Sequence, residues 1–234
     1  DGTRLFFYDL NAKLNFRAGE KNRFFLSGYA GRDVFGFEQF GMDWGNYTTT
    51  FRWNHLFSDK IFSNTSLIYS DFSYGFNLDR DLKYDSGIKD YGIKNNTTYF
   101  INPANTLRAG FELHYRDFNP GALKSEGNSE INIILDKKQA IETGIYINNK
   151  QEISESLNAN YGIRLSAFRQ TGDADTTRSY IIPEPRVSVN YRINSKASVK
   201  LSYNGLSQYL HLLSNSTTGQ VTDIWIPSSS RIKP

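Results

Sequence analysis

Three histidines, 24 acidic residues and no cysteine bound the chemistry open to this 234-residue chain. Without a thiol there is no Cys nucleophile, no thiolate metal ligand and no disulfide framework. His55, His114 and His211 lie far apart, and no His-Glu-x-x-His pair has the spacing that holds zinc on one helix face. His211, with Asp223 beyond it, is the only crude candidate for the Asp–His dyad of a peptide hydrolase. Carboxylates cluster at Asp79, Asp81 and Asp85 around Arg80, and again at Asp173 and Asp175. Such oxygens can hold Ca²⁺, but the spacing and glycine of an EF-hand loop are missing. A solvated charged loop is the plainer reading. Aromatic residues offer a different chemistry. Phe35, Phe37, Phe40, Met42 and Trp44 crowd together with Glu38 and Asp43, and Trp225 stands in a late polar stretch. Ring faces bury apolar area without polar pairing and so suit sugars or flat chelates. Phe37, Phe40, Trp44 and Trp225 are therefore the candidate ligand-contacting residues, with interface packing as the plain alternative. No catalytic residue, metal site or cofactor is expected.

These residues sit on a chain whose dominant signal has a period of two. Between Leu5 and Arg17, Tyr8, Leu10, Ala12, Leu14 and Phe16 fall on one face, and Asp9, Asn11, Lys13, Asn15 and Arg17 on the other. Successive Cβ atoms of a strand point to opposite faces, so this is a β-strand pattern. The run exceeds the usual strand of roughly 5–6 residues. It matches the ~9–11 residues that a tilted strand needs to cross a bilayer.

Composition agrees. Mean hydropathy is −0.54, and no stretch approaches the ~18 apolar residues of a membrane helix. A barrel tolerates such polarity, because only alternate strand residues face lipid. Tyr and Phe number 15 and 17 against 3 Trp, as suits strands and interfacial girdles. The net charge of +3 is too balanced for a nucleic-acid surface.

Strands are expected near 4–17, 23–34, 46–57, 61–74, 88–100, 106–118, 138–151, 156–169, 184–193 and 197–208. Short turns (18–22, 58–60, 101–105, 152–155, 194–196) alternate with long connections (35–45, 75–87, 119–137, 170–183, 205–233). Barrels of the outer membrane have short periplasmic turns and longer outer loops. Charge follows the alternation. Arg108, Glu112, His114 and Arg116 oppose Leu107, Ala109, Phe111, Leu113 and Tyr115, and Arg186 and Arg192 oppose Val187 to Ile193. A cation facing lipid at the midplane costs roughly 2–4 kcal/mol, so the charged face must be the lumen. The lumen-facing residues are then Asp9, Lys13, Arg17, Arg52, Arg108, Glu112, Arg116, Arg164, Arg186 and Arg192. The second and fourth strands can face either way. Lys89 and Lys94 fall on opposite faces of the fifth, so one of them belongs at an interface. The fold class is all-β, a transmembrane antiparallel up-and-down barrel segment of about ten strands. A soluble sheet with one wet face also alternates, but no helical period exists to supply its cover.

The last third carries a more specific pattern. Ile182-Pro183-Glu184-Pro185-Arg186 runs into a strand, and Gln208-Tyr209-Leu210-His211-Leu212-Leu213-Ser214-Asn215 and Thr222-Asp223-Ile224-Trp225-Ile226-Pro227-Ser228-Ser229 follow. Over about residues 180–234 the chain resembles the barrel of TonB-dependent outer-membrane receptors of the Bacteroidetes type. Gly205 departs from the larger residue expected there. The resemblance implies a 22-stranded barrel closed by a plug and driven by the TonB complex. Its cargo would be an iron chelate, haem, vitamin, peptide or glycan, and a surface lipoprotein lid is a possible partner. Residues 1–234 would be a partial barrel domain of a Gram-negative outer membrane, without a plug, whose charged lumen residues hold the plug. A passive ten-stranded pore, and an outer-membrane protease using His211, are the alternatives.

Overall fold

A computed structural model describes residues 2–38, 40–79, 82–125, 132–171, 178–213 and 224–234. Among them there is no helix. The strands are β1 (Thr3–Ala18), β2 (Asn22–Phe37), β3 (Phe40–Ser58), β4 (Ile61–Asp79), β5 (Leu82–Asn102), β6 (Asn105–Ser125), β7 (Asn132–Ile134), β8 (Lys138–Glu152), β9 (Leu157–Thr171), β10 (Ser179–Arg192), β11 (Ser198–Asn204), β12 (Leu210–Leu213) and β13 (Ile224–Pro227). Ten of them form one antiparallel path, β1-β2-β3-β4-β5-β6-β8-β9-β10-β11, with β7 pairing only to β6. β12 and β13 make a separate two-stranded sheet. Among the described residues the large sheet is open: β1 and β11 each have one neighbour.

The strands are longer than the sequence pattern predicts at one end. Residues 35–45 are not a loop. β2 and β3 stay paired up to Phe37 opposite Phe40. Glu38 closes the turn with φ 50°, the left-handed conformation that two-residue hairpin turns require. Turns of this kind usually announce themselves by Gly or Asn, and Glu38 gives no such sign. Residues 75–87 likewise continue β4 and β5 until Asp79 meets Leu82. Of the charged cluster read there as a loop, Asp79 and Asp85 lie on strands. Arg80, Asp81, Asp173 and Asp175 lie outside the described residues.

β10 contains two prolines, and its register explains why they are tolerated. Pro185 O accepts a 2.8 Å bond from Gly205 N, so Pro185, and Pro183 two residues before it, point their nitrogens toward the β11 side. β11 pairs only with Arg186–Arg192. The missing N–H groups therefore face a stretch with no strand partner, where proline costs no ladder bond.

Register fixes the two faces. Lys94, Glu112, Tyr146, Arg164, Arg186 and their cross-strand partners share one face. Leu67, Ile93, Leu113, Ile145, Leu165 and Val187 share the other. Polarity is inside-out. Glu184 is 4% exposed, whereas Leu113 is 43% and Leu201 75% exposed. A cavity of about 640 Å³ is lined at once by Asn64 of β4 and Asn204 of β11. Six strand spacings of ~4.8 Å would separate them by roughly 29 Å on a flat sheet. The charged face is therefore concave and the apolar face convex.

Two aromatic bands bound the convex face. Tyr69, Tyr91 and Tyr115 stand side by side, with ring centroids 5.2 and 6.2 Å apart, and the Tyr8 hydroxyl meets that of Tyr47 at 3.0 Å. Toward the short turns, Phe16, Phe24 and Trp53 stack in a row, with Tyr99 further along. From Tyr91 to Tyr99 is eight residues, or ~27 Å of strand. Inclined at about 40°, this spans roughly 20 Å, near the height of a lipid-facing band. The convex face is not wholly apolar. Lys89 lies on it, paired to Asp71 at 3.5 Å, and Arg32 pairs with Asp43 at 2.5 Å. Both pairs flank the tyrosine band, where the strands leave the apolar zone. Lys94 takes the concave face, and the second and fourth strands turn Ser27 and Tyr29, and Asn64 and Ser66, to that face.

Candidate functional site

The concave face is layered along its strands. At the end of the long connections it is aromatic. Phe35, Phe37, Phe40, Met42 and Trp44 all face the concave side, because β2 and β3 keep their alternation through to the turn. Phe35 and Phe40 meet at 6.4 Å. The row continues through Tyr74 and Phe76 of β4, with the Phe76 and Tyr84 rings stacked at 4.8 Å. Sequence reading placed Phe37, Phe40 and Trp44 on a loop. The structure sets them on paired strands, where the backbone ladder holds their spacing.

The middle layer is an ion-pair network. Glu112 on β6 receives Lys94 of β5 at 3.6 Å and hydrogen-bonds the Arg164 guanidinium of β9. Arg164 also reaches Glu184 of β10 at 3.6 Å, and Glu184 takes Arg186 at 3.1 Å. A second branch joins Arg116 to Glu142 and, at 3.4 Å, to Asp90. His114 Nδ1 lies 2.9 Å from the same Asp90. Arg164 must pass over β8 to reach Glu112, and Gly144 provides the gap. A Cβ there would lie 2.3 Å from the guanidinium. Gly92 makes the same allowance for His114, at 2.7 Å. Glycine at these positions is a matter of close approach within a strand.

All ten predicted lumen residues lie on the concave face by register, but only some are brought together. Glu112, Arg116, Arg164 and Arg186 belong to the network, and Arg108 lines the same cavity. Asp9 instead accepts the Tyr29 hydroxyl at 2.6 Å, and Lys13 lies 5.8 Å from the centre of the Phe25 ring. Arg17 and Arg192 bond backbone carbonyls of the short turns, Gly19 O and Glu155 O. Arg52 stands opposite Phe25 and Ser66. Asp90, Glu142, Glu184 and Tyr146 were missed as site residues. Their parity along each strand was visible, but their meeting depends on cross-strand register.

The third layer is built by the chain itself. After β11 the segment from Gly205 returns over the concave face, and β13 packs against β5, β6 and β8. The Tyr209 ring lies 4.9 Å from Phe168 and 3° from parallel, and its hydroxyl meets Ser166 at 2.8 Å. Burial raises the Tyr209 phenol above its ordinary pKa. Phe118, Ala140, Phe168 and Tyr209 form a buried cluster with Trp225 packed on it. Tyr180 donates to Ser229 O at 2.7 Å. Trp225 therefore sits in this cap over β6–β9, apart from Phe37, Phe40 and Trp44. His211 Nε2 lies 2.8 Å from Ser228 Oγ, and Ser228 is fully buried. That pair ties β12 to the segment after β13 within the cap. Asp223, its proposed partner, lies outside the described residues. Among the described residues no three His, Asp or Glu side chains gather as a metal site. Tyr209→Ala removes the stack and a hydrogen bond, a loss of about 3 kcal/mol for a buried aromatic. Limited chymotrypsin digestion of the full-length protein should then cut after Trp225, which the intact cap holds packed against the buried cluster.

No protein-family model matches the chain, and no curated protein matches it. Solved structures do. The FrpB iron transporter of Neisseria meningitidis is similar with a TM-score of 0.68 at 14% identity, over 86% of this chain and 36% of its own. The copper transporter OprC gives 0.67 at 10% identity, over 82% of this chain and 35% of its own. BauA, the ferric preacinetobactin receptor of Acinetobacter baumannii, gives 0.63 at 11% identity over 97% of this chain and 43% of its own. The chain spans well under half the length of each of these three. The likeness is one of fold: the ten-stranded sheet has the architecture of a section of a TonB-dependent receptor barrel.

Proposed function

We propose that the chain is one wall of an outer-membrane active-transport receptor of the TonB-dependent type, in the Bacteroidetes form, importing a nutrient across a Gram-negative outer membrane. The observation that carries this reading is the inside-out sheet. Its convex face has two aromatic bands at roughly membrane spacing, and its concave face carries a cross-linked ion network that an open sheet of ten strands cannot enclose. Residues 1–234 are then a partial barrel domain, and further strands complete the cylinder.

In this reading a plug domain fills the lumen. Asp9, Lys13, Arg17, Arg52 and Arg192 offer it charged groups outside the central network. Arg108, Glu112, Arg116, Arg164 and Arg186 form the path that opens when TonB pulls the plug. Phe37, Phe40 and Trp44 form the outer rim that first meets cargo, and Trp225 anchors the inward-folded cap. A lipoprotein lid would meet the rim end. The test is uptake by cells carrying the full-length gene, supplied in turn with an iron chelate, haem, cobalamin, a peptide or a glycan. One class is expected to be lost on gene deletion, and its uptake is expected to stop when TonB is deleted. Uptake that persists without TonB would overturn the active-transport reading in favour of a passive pore.

A further inference from the structure

We propose that a hollow on the convex face, just outside the tyrosine band, docks the phosphorylated headgroup of an outer-leaflet glycolipid together with its divalent counter-ion. This rests on the outer-membrane placement in the receptor reading, but not on transport. The hollow holds about 430 Å³ on β2–β6, within the range of small-ligand sites. These strands are interior to the sheet, and the hollow lies on the face away from the lumen. Neither a plug nor further strands would fill it. Register builds it in rows. Tyr69, Tyr91 and Tyr115 lie opposite one another, and the next row outward is Asp71, Lys89 and Asp117. Beyond it Arg32, Gly45, Ser73 and Gly87 follow from strand to strand, and then Asp43, Gly75 and Asp85. Where a lipid-facing strand carries large side chains, the glycines and Ser73 leave a floor of backbone, rimmed by charge.

The rim carries both signs. Arg32 and Asp43 pair at 2.5 Å, and Lys89 reaches Asp71 at 3.5 Å. The Arg32 and Lys89 side chains are still 39% and 50% exposed, so each keeps donors for a ligand. Asp85 accepts the Asn119 amide at 3.0 Å. Asp117 Oδ1 is closed to solvent and has no hydrogen-bond partner among the described residues, an arrangement that calls for a donor or a cation. With Lys83 and Lys137 also on the lining, a bare anion would meet as many carboxylates as cations. A phosphate that brings a divalent cation satisfies both. Arg32 and Lys89 donate to its oxygens, and Asp117 ligates the metal. A Mg²⁺ shared between a phosphate and one or two carboxylates needs no complete protein cage, and among the described residues none is present. Height identifies the source of the phosphate. Lys89 stands two residues outside Tyr91, ~7 Å of strand, or about 5 Å above the band at the tilt of a barrel strand. The headgroup layer adds roughly 5–8 Å to each side of the hydrocarbon core. The hollow also lies at the end of the long connections, the outer side of such a barrel. Its occupant is therefore a lipid of the outer leaflet rather than free phosphate.

The test is native mass spectrometry of the purified full-length protein in detergent, incubated with diphosphoryl lipid A, its dephosphorylated form or phosphatidylglycerol. Diphosphoryl lipid A is expected to be retained in Mg²⁺, and to be held about tenfold or more weakly after EDTA or without its phosphates. Lys89→Gln and Asp117→Asn should each weaken retention about tenfold or more, as the loss of a charge-assisted contact does. Ser73→Phe keeps every charge but fills the floor, and should abolish retention. Lys196→Gln, in the exposed turn after β10, should leave it unchanged. Heat-modifiable electrophoretic mobility establishes that each variant is folded. No retention of lipid A, equal retention of phosphatidylglycerol or of the dephosphorylated form, or indifference to EDTA would overturn the proposal. So would displacement by equimolar inorganic phosphate, or retention that survives any of the three substitutions at the hollow. Failure here leaves lipid contact along β6 and TonB-dependent uptake untouched, and is thereby distinct from failure of the receptor reading.

Discussion

Glu112→Leu is expected to cost the barrel wall about 3 kcal/mol, the low end of the range for breaking a buried pair. The low end applies because the Glu112 side chain keeps 17% exposure. Glu112 is the only carboxylate that Lys94 contacts within the described residues, and it is one of two for Arg164. Its removal leaves Lys94 and the largely buried Arg164 side by side without the carboxylate between them. Guanidinium unfolding of the purified full-length protein, followed by tryptophan fluorescence, should show a lowered midpoint with an unchanged slope. The double change Glu112→Leu with Arg164→Leu should recover part of the loss, because removing both partners spares the unpaired charge. A single substitution without effect would mean that the network is a set of solvent-separated charges of little energetic weight.

Leu113→Arg, one residue along, is expected to be nearly as damaging for the opposite reason. Leu113 is 43% exposed, and on a water-soluble sheet an arginine there would be tolerated. It stands between Ile93 and Thr143 on the convex face, below Tyr115 and so within the span between the two aromatic bands. A cation at the bilayer midplane of a barrel costs roughly 2–4 kcal/mol. Assembly into the outer membrane, read as the heat-modifiable fraction, should fall sharply. The same change at Leu206, in the exposed stretch after β11, should be nearly silent. Equal tolerance at both positions would point to a convex face in water.

Much of this layout was legible in the chain. The alternation of β1, β6, β8 and β9 located the strands and assigned their faces, because a period of two needs no knowledge of neighbours. The ends of the strands were not legible. Gly36, Gly41 and Gly45 looked like loop residues, but they sit within the β2–β3 ladder, and the actual turn is marked only by Glu38. Mixed strands such as β4 could not be oriented until Asn64 and Ser66 were placed opposite Asn96 and Lys94. The ion network was half visible. Glu112, Arg116, Arg164 and Arg186 carried the right parity, but joining Arg164 to Glu112 across β8 depends on register and on the gap at Gly144. The cap was hidden for a further reason: Tyr209, Ser228 and Trp225 belong to no long alternating run, and their burial comes from contact with a face about 40 to more than 100 residues earlier in the chain.

The most direct test of the face assignment uses the natural absence of cysteine. Single cysteines from Leu107 to Arg116 in the full-length protein, labelled with bimane and reconstituted with nitroxide-bearing lipids, report lipid contact position by position. Quenching is expected at Leu107, Ala109, Phe111, Leu113 and Tyr115, and little at Arg108, Gly110, Glu112, His114 and Arg116. A uniform or inverted pattern along β6 would contradict a charged lumen behind a lipid-facing wall.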